Sequence, residues 1–416
     1  MLTAAVGESQ ELDGREAASH ATQMALKQLG RVPVALGLVI ASQDYPMQQV
    51  MNGVSTLLGD APLLGFSTSV GLSPSGQYRK SVVVALLAGN EIQVKADWWP
   101  GLEGHEQPLE NSQAPGQKLI QSFLPEMSEG ILLLAGEGIR GDTTRFVEQI
   151  NAALNSVGPI ATPKIVGCLA GGHATRGITS QIGGQQAGSG GMAAAWISGD
   201  IAAGVGSGHG WDSIGTYVKV TKAQGTSILE LDERSPAETL ARLFRCSPRD
   251  WTLPPLNELV RLYPLGFEAN TEPGSYMDGN QPYMIRSPLL LENDGSLRMN
   301  AAVQEGSVGY LMVGNVDACL EAAREAAHQA LTGLKQAAAE CHPVLALVLV
   351  DEAWRMLMEV QPGQEVQAVR SVLGPGIPVV GGYTFGQISQ PAGSTLQLLN
   401  QHLQVILFAE IKADLV

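Results

Sequence analysis

The stretch PLLGFSTSVG, Pro62 to Gly71, is written again near the other end of the chain as PVVGGYTFGQ, Pro378 to Gln387. Both contain proline, two aliphatic residues and glycine, and both then reach a pair ending in a hydroxyl, Ser67-Thr68 and Tyr383-Thr384. A third form, KIVGCLAGGH, begins at Lys164. Glycine directly after buried aliphatic residues lets the chain turn sharply or lets another group approach the backbone. The recurrence predicts a repeated structural unit.

The repeated unit contains two helices and three strands. In each copy a helical pattern precedes a continuous apolar run: LGLVIAS from Leu36, ILLLAG from Ile131 and LALVLVD from Leu345. Apolar runs of this length are typical of strands covered on both faces. A second helix, the glycine strand and a closing strand follow. The apolar run and the glycine are separated by 29, 36 and 36 residues, a regularity that predicts three copies of one α/β unit.

Residues 201–300 interrupt this pattern. YVKVTKAQGTSILELDE predicts two strands around a Gln-Gly turn, SPAETLARLF a helix capped by Ser235, and YMIRSPLLLENDGSLRMN a second hairpin. We therefore predict two domains: 1–200 with two copies of the unit, and 201–416 with an inserted hairpin subdomain (201–300) and the third copy (301–416). The predicted fold class is α/β, with mixed sheets covered by helices and tandem pseudo-repeated units in two domains.

The composition is that of an acidic globular protein. Apolar residues make up 44% of the 416 residues, and 25 basic against 40 acidic residues leave a net charge of −15, which repels nucleic acid and anionic membrane. No apolar run reaches the roughly 18 residues that span a bilayer, and the N-terminus lacks the features of a signal peptide. The four cysteines form no CxxC pair. We expect a cytoplasmic protein that binds neither nucleic acid nor membrane.

The loops after the glycine strands are the first candidate ligand site. Glycine there allows close approach to the backbone, and hydroxyl groups supply donors and acceptors, as a small polar or anionic ligand requires. The candidate residues are Gly65, Ser67, Thr68, Gly381, Tyr383, Thr384 and Gly386. The alternative is that glycine and hydroxyl residues simply end the strands.

Three further residues are ligand-binding candidates. His209 and Trp211 lie in the glycine-rich GVGSGHGWDSIG, where an imidazole and an indole can bind a ligand and His209 can serve as an axial haem ligand. A histidine in this setting can equally bond the adjacent backbone. Arg286, in YMIRSP, is the candidate counter-charge for a ligand carboxylate; its alternative is a surface arginine on a hairpin.

Signals for catalysis are weak. GEGIRG, Gly136 to Gly141, matches GxGxxG between a strand and a helix, but the next strand does not end in the acidic residue of a dinucleotide site. Cys168 and His173 suggest a thiol–imidazole pair, which the other copies of the unit lack. The chain contains no GxSxG elbow, GxxxxGK[ST] loop or HExxH. We expect a protein without enzymatic activity; an enzyme using Gly136–Gly141 or Cys168 is an open alternative.

Five ordered blocks resemble the FIST family, which consists of an N-terminal and a C-terminal FIST domain. The blocks are LLGFSTSVG, HGWDSIGTYVKVTKAQGTSILELDERSPAETL, LYPLGFEAN, AAVQEGSVGYLMVGN and PVVGGYTFGQIS. The resemblance covers nearly the whole chain and implies a bacterial signal-transduction sensor that binds a small ligand, with amino acids or their derivatives proposed. Gln387 stands where the family usually has glutamate, which removes one acidic group that could hold a ligand amine.

The resemblance also bears on cofactors and partners. Some members of the family are haem proteins that sense nitric oxide, so a haem sensor using His209 is an alternative to a metabolite sensor. Family members are often fused to kinase, cyclase or chemoreceptor modules, and no such module is evident in this sequence. We therefore expect a signal that passes to a separate output protein, or through the surface of a homodimer.

Overall fold

The described residues form three six-stranded sheets and one seven-stranded sheet. The structure is a computed structural model that describes residues 1–101, 114–123, 130–157, 163–268, 283–338, 340–390 and 395–411. Each six-stranded sheet has four strands from one copy of the repeated unit, and the seven-stranded sheet is inserted in the third copy. The prediction of a mixed α/β fold with pseudo-repeated units is confirmed.

The first unit begins with a strand that the sequence patterns did not indicate. Its elements are β1 (Thr3–Ser9), α1 (Gly14–Leu29), β2 (Val34–Ser42), α2 (Met47–Leu58), β3 (Leu63–Thr68), β4 (Gly71–Ser73), β5 (Gly76–Tyr78) and β6 (Val82–Ala88). The sheet has the order β1-β6-β2-β3, in which β2 and β3 are parallel and the other pairs antiparallel. The glycine strand β3 therefore runs beside the buried apolar strand β2.

The second unit repeats this order. Its elements are β7 (Ile92–Pro100), α3 (Pro115–Phe123), β8 (Ile131–Gly136), α4 (Thr143–Val157), β9 (Lys164–Leu169), β10 (Ser180–Gly183), β11 (Gln186–Ser189) and β12 (Gly191–Gly199). The Asp142 carboxylate accepts a hydrogen bond from the Thr144 amide at 3.1 Å and so caps the start of α4. The sequence pattern GQKLIQSFLPEM predicts the first helix of this unit, and its last four residues, 124–127, lie outside the described residues.

The third unit opens with β13 (Ile201–Gly208) and is then interrupted by the inserted sheet. The insertion contains β14 (Trp211–Gln224), β15 (Ser227–Leu231), α5 (Pro236–Phe244), α6 (Pro248–Trp251), α7 (Leu256–Leu259), β16 (Leu265–Glu268), β17 (Tyr283–Arg286), β18 (Pro288–Leu291), β19 (Leu297–Met299) and β20 (Val308–Gly314). Ser235 caps α5, as the sequence predicts, and forms a capping box with Glu238.

The rest of the third unit follows the pattern with one change. Its elements are α8 (Val316–Ala337), β21 (Cys341–Asp351), α9 (Glu352–Leu357), α10 (Gln364–Leu373), β22 (Val379–Thr384), β23 (Gly386–Ser389), β24 (Gln397–Leu399) and β25 (Leu403–Ile411). Where the other units have a single second helix, this unit has two short ones. Pro362 and Gly363 lie between them, and Gly363 has φ +87°, a conformation that favours glycine.

The three units exchange hairpins in a ring. The β4–β5 hairpin of the first unit pairs with β22 of the third, β10–β11 of the second with β3 of the first, and β23–β24 of the third with β9 of the second. Each six-stranded sheet therefore contains four strands of its own unit and two of another. No unit can complete its sheet alone.

The first and third units pack their first helix closely on their first strand. On α8 the residues Cys319, Ala323, Ala326 and Ala330 recur at helical spacing in the sequence and form a fully buried stripe. A Cβ added at Gly204 of β13 would lie 1.8 Å from the Ala330 carbonyl oxygen, and Gly7 of β1 has the same relation to Ala21 of α1. Small residues on both elements permit this approach. The glycines before His209 therefore have a packing role.

The three sheets share one central apolar core. It includes Ile40 and Phe66 from the first sheet, Leu133 and Cys168 from the second, and Leu349, Ile406 and Phe408 from the third. Outer cores lie between each sheet and its helices, and another lies within the insertion. Because the centre is filled with aliphatic side chains, ligand sites are to be sought where the units meet at the surface.

Candidate functional site

The three glycines that define the repeat occupy equivalent positions. Gly65 pairs with Val39, Gly167 with Leu134 and Gly381 with Val348, in each case across the parallel strand pair. A Cβ at these glycines would lie 2.6, 2.1 and 1.8 Å from the carbonyl oxygen of that partner. All three glycines thus permit close strand packing.

The predicted hydroxyl residues lie where the units cross near the ends of the glycine strands. The Ser67 hydroxyl donates to the Gly171 carbonyl at 2.9 Å. Thr384 Oγ1 lies 3.2 Å from the Val350 carbonyl and accepts from the Gln387 amide at 3.0 Å. Thr68 Oγ1 is bonded to the backbone of Tyr383. These hydroxyls are buried and link one element to another; their role as ligand contacts stays a prediction.

Arg286 and Gly386 lie on the side of the third unit that faces the second. Arg286 is buried and its guanidinium donates to the Leu398 carbonyl at 3.3 Å. Burial lowers the pKa of Arg286 to about 10, and the negative charge of Asp142 opposes this shift. Gly386 begins β23 and pairs with Leu169. Arg286 therefore contacts the β23–β24 hairpin in the second sheet, whereas the β4–β5 hairpin pairs with β22 in the third sheet.

His209 and Trp211 are packed inside the third unit. The imidazole of His209 lies edge-on to that of His402, with ring centroids 4.8 Å apart, and its Nδ1 accepts from the Trp211 amide at 3.2 Å. Trp211 is fully buried, with its ring centroid 5.9 Å from that of Trp354. This packing does not favour haem ligation by His209, because the neighbouring imidazole occupies the space beside the ring.

The two enzyme motifs are also occupied by internal contacts. In GEGIRG the carboxylate of Glu137 accepts from the amides of Ile139, Thr179 and Gly190, at 3.0 to 3.4 Å. A nucleotide phosphate would need free amides in this loop. Cys168 is 1% exposed, and burial raises the pKa of its thiol well above the usual value. A buried, protonated thiol is a poor nucleophile.

The hairpin exchange creates three equivalent junctions between a hairpin and the second helix of the unit that receives it. At the first, the side-chain amide of Gln185 in the β10–β11 turn makes both contacts. Its nitrogen donates to the Ala61 carbonyl at 3.0 Å, and its oxygen accepts from the Ser55 hydroxyl at 3.0 Å. At the second, Asn151 of α4 exchanges two hydrogen bonds of 2.9 Å with the backbone of Leu396. Side-chain amides close both junctions.

The third junction contains a cavity of about 400 Å³ between the β4–β5 hairpin and the split helix α9–α10. This volume lies in the range of about 300–1,000 Å³ that is usual for small-molecule sites. Its lining includes the side chains of Val70, Gln77, Arg79, Arg355, Glu359 and Arg370. We call it the arginine cavity, because three arginines line it in a protein with a net charge of −15.

The arginines of this cavity are held in different ways. Arg355 Nε donates to Glu352 at 2.5 Å, and Glu352 is buried and also accepts from the Ser69 hydroxyl at 2.6 Å. Arg370 donates to the Ser73 carbonyl at 2.6 Å. Arg79 is exposed and makes no ion pair within the residues that the structure describes. The cavity therefore offers guanidinium groups with donors to spare, which suits a carboxylate or phosphate.

Gln77 lines the inner wall of the cavity and connects it to two buried polar groups behind that wall, Tyr383 and Glu365. The Tyr383 hydroxyl donates to the Glu365 carboxylate, and Gln77 donates to the same carboxylate at 3.1 Å. Burial raises the pKa of Glu365, although the hydrogen bonds from Tyr383 and Gln77 oppose the shift. Of the predicted site residues, Tyr383 and Thr68 contact residues that line this cavity, Gln77 and Val70 respectively.

Two larger grooves run along the outer edges of β1 and β13, with volumes of about 750 and 640 Å³. In the first, Gln28 bonds both the amide and the carbonyl of Val6; in the second, Gln329 accepts from the Ser207 amide. These side chains cap the edge strands. The grooves are therefore weaker candidates than the arginine cavity.

The comparisons with known proteins concern the whole chain. A family model of the FIST N domain matches residues 35–234, and one of the FIST C domain matches residues 217–390. No curated protein matches the chain. The crystal structure of cyanuric acid hydrolase from A. caulinodans covers 99% of this chain and 100% of its own, with 9% sequence identity and a TM-score of 0.35. Among the described helices, none combines the length and the apolar character that crossing a membrane requires.

Proposed function

The chain belongs to the FIST family, whose domains are sensory domains of signal transduction, and from that premise we propose a non-enzymatic sensor that binds an amino acid or a related polar metabolite. One observation carries the choice of site. Side-chain amides bridge all three equivalent hairpin–helix junctions, and the third also contains a cavity lined by arginines. A local departure from an otherwise repeated arrangement is expected where function requires it.

The route of the signal is part of the proposal. The short helix α9 has Arg355 in the arginine cavity, and its capping residue Asp351 forms a buried ion pair of 3.2 Å with Arg261, in a short 3-10 turn (Val260–Leu262) of the insertion. Trp354 of α9 packs on Trp211, the first residue of the inserted sheet. A ligand that shifts Arg355 would therefore also move contacts that orient the insertion.

The cellular setting is also part of the proposal. We place the protein in the cytoplasm, because its four cysteines are unpaired. We further propose that the inserted sheet passes the signal to a separate output protein. Because α9 contacts both the arginine cavity and the insertion, ligand binding would control how the output protein binds to this sheet.

The test is a thermal-shift screen of the standard amino acids and small carboxylates, followed by calorimetry. A ligand present at about 100 times its dissociation constant should stabilise the fold by about 2.7 kcal/mol. Arg355→Gln should abolish this stabilisation, whereas the control Arg31→Gln, at an exposed arginine outside the cavity, should not. The fluorescence of the Trp211–Trp354 pair should change on binding. Ligands that bind equally well to Arg355→Gln would refute the site.

A further inference from the structure

The charges around the arginine cavity define what it can hold. Arg79, Arg355 and Arg370 bring three positive charges, whereas Glu359 lines the cavity and Glu352 lies against Arg355. Among the residues that line the cavity and the ion-pair partner of Arg355, one positive charge is therefore left over. A ligand with a net charge of −1 would neutralise the site, whereas a neutral amino acid would leave the charge unbalanced.

The positive groups are spread along the cavity. Arg355 projects from α9, on one side of the split between the helices, and Arg79 follows the β4–β5 hairpin. Arg370 lies on α10 and lines both the arginine cavity and the neighbouring groove along β1, so it stands at the boundary between them. Two anionic groups separated by a short carbon chain could each reach a guanidinium.

Glu359 adds a site for a positive group. Its carboxylate is exposed and lies on the segment between α9 and α10, on the same cavity as the arginines. Burial also lowers the pKa of Arg370, since the surroundings disfavour the charged guanidinium, and an anionic ligand would compensate for that loss of solvation. The wall thus offers partners for two carboxylates and one ammonium group.

We infer that the ligand of the arginine cavity is an acidic amino acid, with its two carboxylates bound by arginines and its ammonium group by Glu359. This inference rests on the proposed function and specifies the chemistry of the same site. Guanidinium groups bind carboxylates in a two-pronged geometry that an amide of the same shape cannot match. The site therefore distinguishes glutamate from glutamine, and aspartate from asparagine.

Isothermal titration calorimetry with L-glutamate, L-aspartate, L-glutamine and L-asparagine tests the inference. An acidic amino acid should bind at least about ten-fold more tightly than its amide, a difference of about 1.4 kcal/mol. Arg370→Gln should bring the two affinities together. The control Arg249→Gln, at an exposed arginine of the insertion, should leave the difference intact. Equal affinities for acid and amide in the unaltered protein would overturn the inference.

The ammonium group is tested separately with Glu359→Gln and with glutarate, which has two carboxylates and no ammonium group. The variant should bind L-glutamate more weakly and glutarate no more weakly than the unaltered protein. If Glu359→Gln weakens the binding of both L-glutamate and glutarate, the proposed role of Glu359 is overturned. Binding of neutral amino acids in preference to acidic ones, lost in Arg355→Gln, would overturn this inference and leave the proposed function standing. No binding by any amino acid or small carboxylate would overturn both.

Discussion

At the junction between the first and third units, the hydroxyl of Thr68 takes the place of a backbone amide as the partner of the Tyr383 carbonyl. The hydroxyl oxygen lies 2.9 Å from that carbonyl oxygen and also accepts from the Tyr383 amide. At the equivalent positions of the other two junctions a backbone amide makes this bond: the Gly171 amide donates to the Ser67 carbonyl at 2.7 Å, and the Phe385 amide to the Leu169 carbonyl at 3.0 Å. Thr68 is therefore the side chain that takes the place of a backbone amide in this repeated contact.

We predict that Thr68→Val destabilises the protein by about 1–3 kcal/mol, because a buried amide and carbonyl of Tyr383 lose their partner while the side-chain volume is kept. Urea denaturation followed by circular dichroism measures the change. Thr56→Val is the matched control, since the Thr56 hydroxyl bonds the Asn52 carbonyl on the exposed surface of α2. An equal loss in both variants would contradict a special role of Thr68.

The strict need for glycine in the glycine strands gives a second prediction. A Cβ at Gly167 would lie 2.1 Å from the Leu134 carbonyl oxygen, so Gly167→Ala must push two parallel strands apart. We expect a loss of about 1–3 kcal/mol, the usual cost of overpacking. In Gly376→Ala the added carbon has no neighbour within 4 Å, and this control should leave the unfolding midpoint nearly unchanged. If Gly167→Ala is as stable as the unaltered protein, then glycine is not required there for close packing of the two strands.

Local patterns predicted the repeated unit well. The apolar runs became β2, β8 and β21, and the stripe on α8 is buried, because periodicity and burial are coupled within one element. The hairpin exchange was not predicted. Gly71 pairs with Gly382, and neither the length nor the apolar content of the β4–β5 hairpin indicates a partner so distant in sequence.

The candidate site was predicted only at its edge. Tyr383 contacts Gln77 at the inner wall, but the arginines at positions 79, 355 and 370 were missed, because the exchange brings them together from separate elements. One signal was present in the sequence. The third copy has Pro362-Gly363 inside the region where the other copies have an unbroken second helix, and this interruption creates the split helix that borders the cavity.

The last prediction concerns the pH dependence of stability and follows from Glu365. This carboxyl is fully buried, and burial raises its pKa above the ordinary value. Between the pKa of the unfolded chain, about 4.3 for glutamate, and the raised pKa of the folded state, the folded protein binds more protons than the unfolded one. Stability must therefore fall as the pH rises through this interval, and then level off.

Glu365→Gln should remove this part of the pH dependence. Urea unfolding of both proteins between about pH 4 and pH 8 should show the unaltered protein losing stability relative to the variant as the pH rises. Tyr383→Phe removes a hydrogen bond that favours the ionised carboxylate, so the decline should extend to higher pH. Glu340→Gln, at an exposed carboxyl, is the control. Parallel stability curves for the unaltered protein and Glu365→Gln would mean that this carboxyl ionises equally readily in the folded and unfolded states.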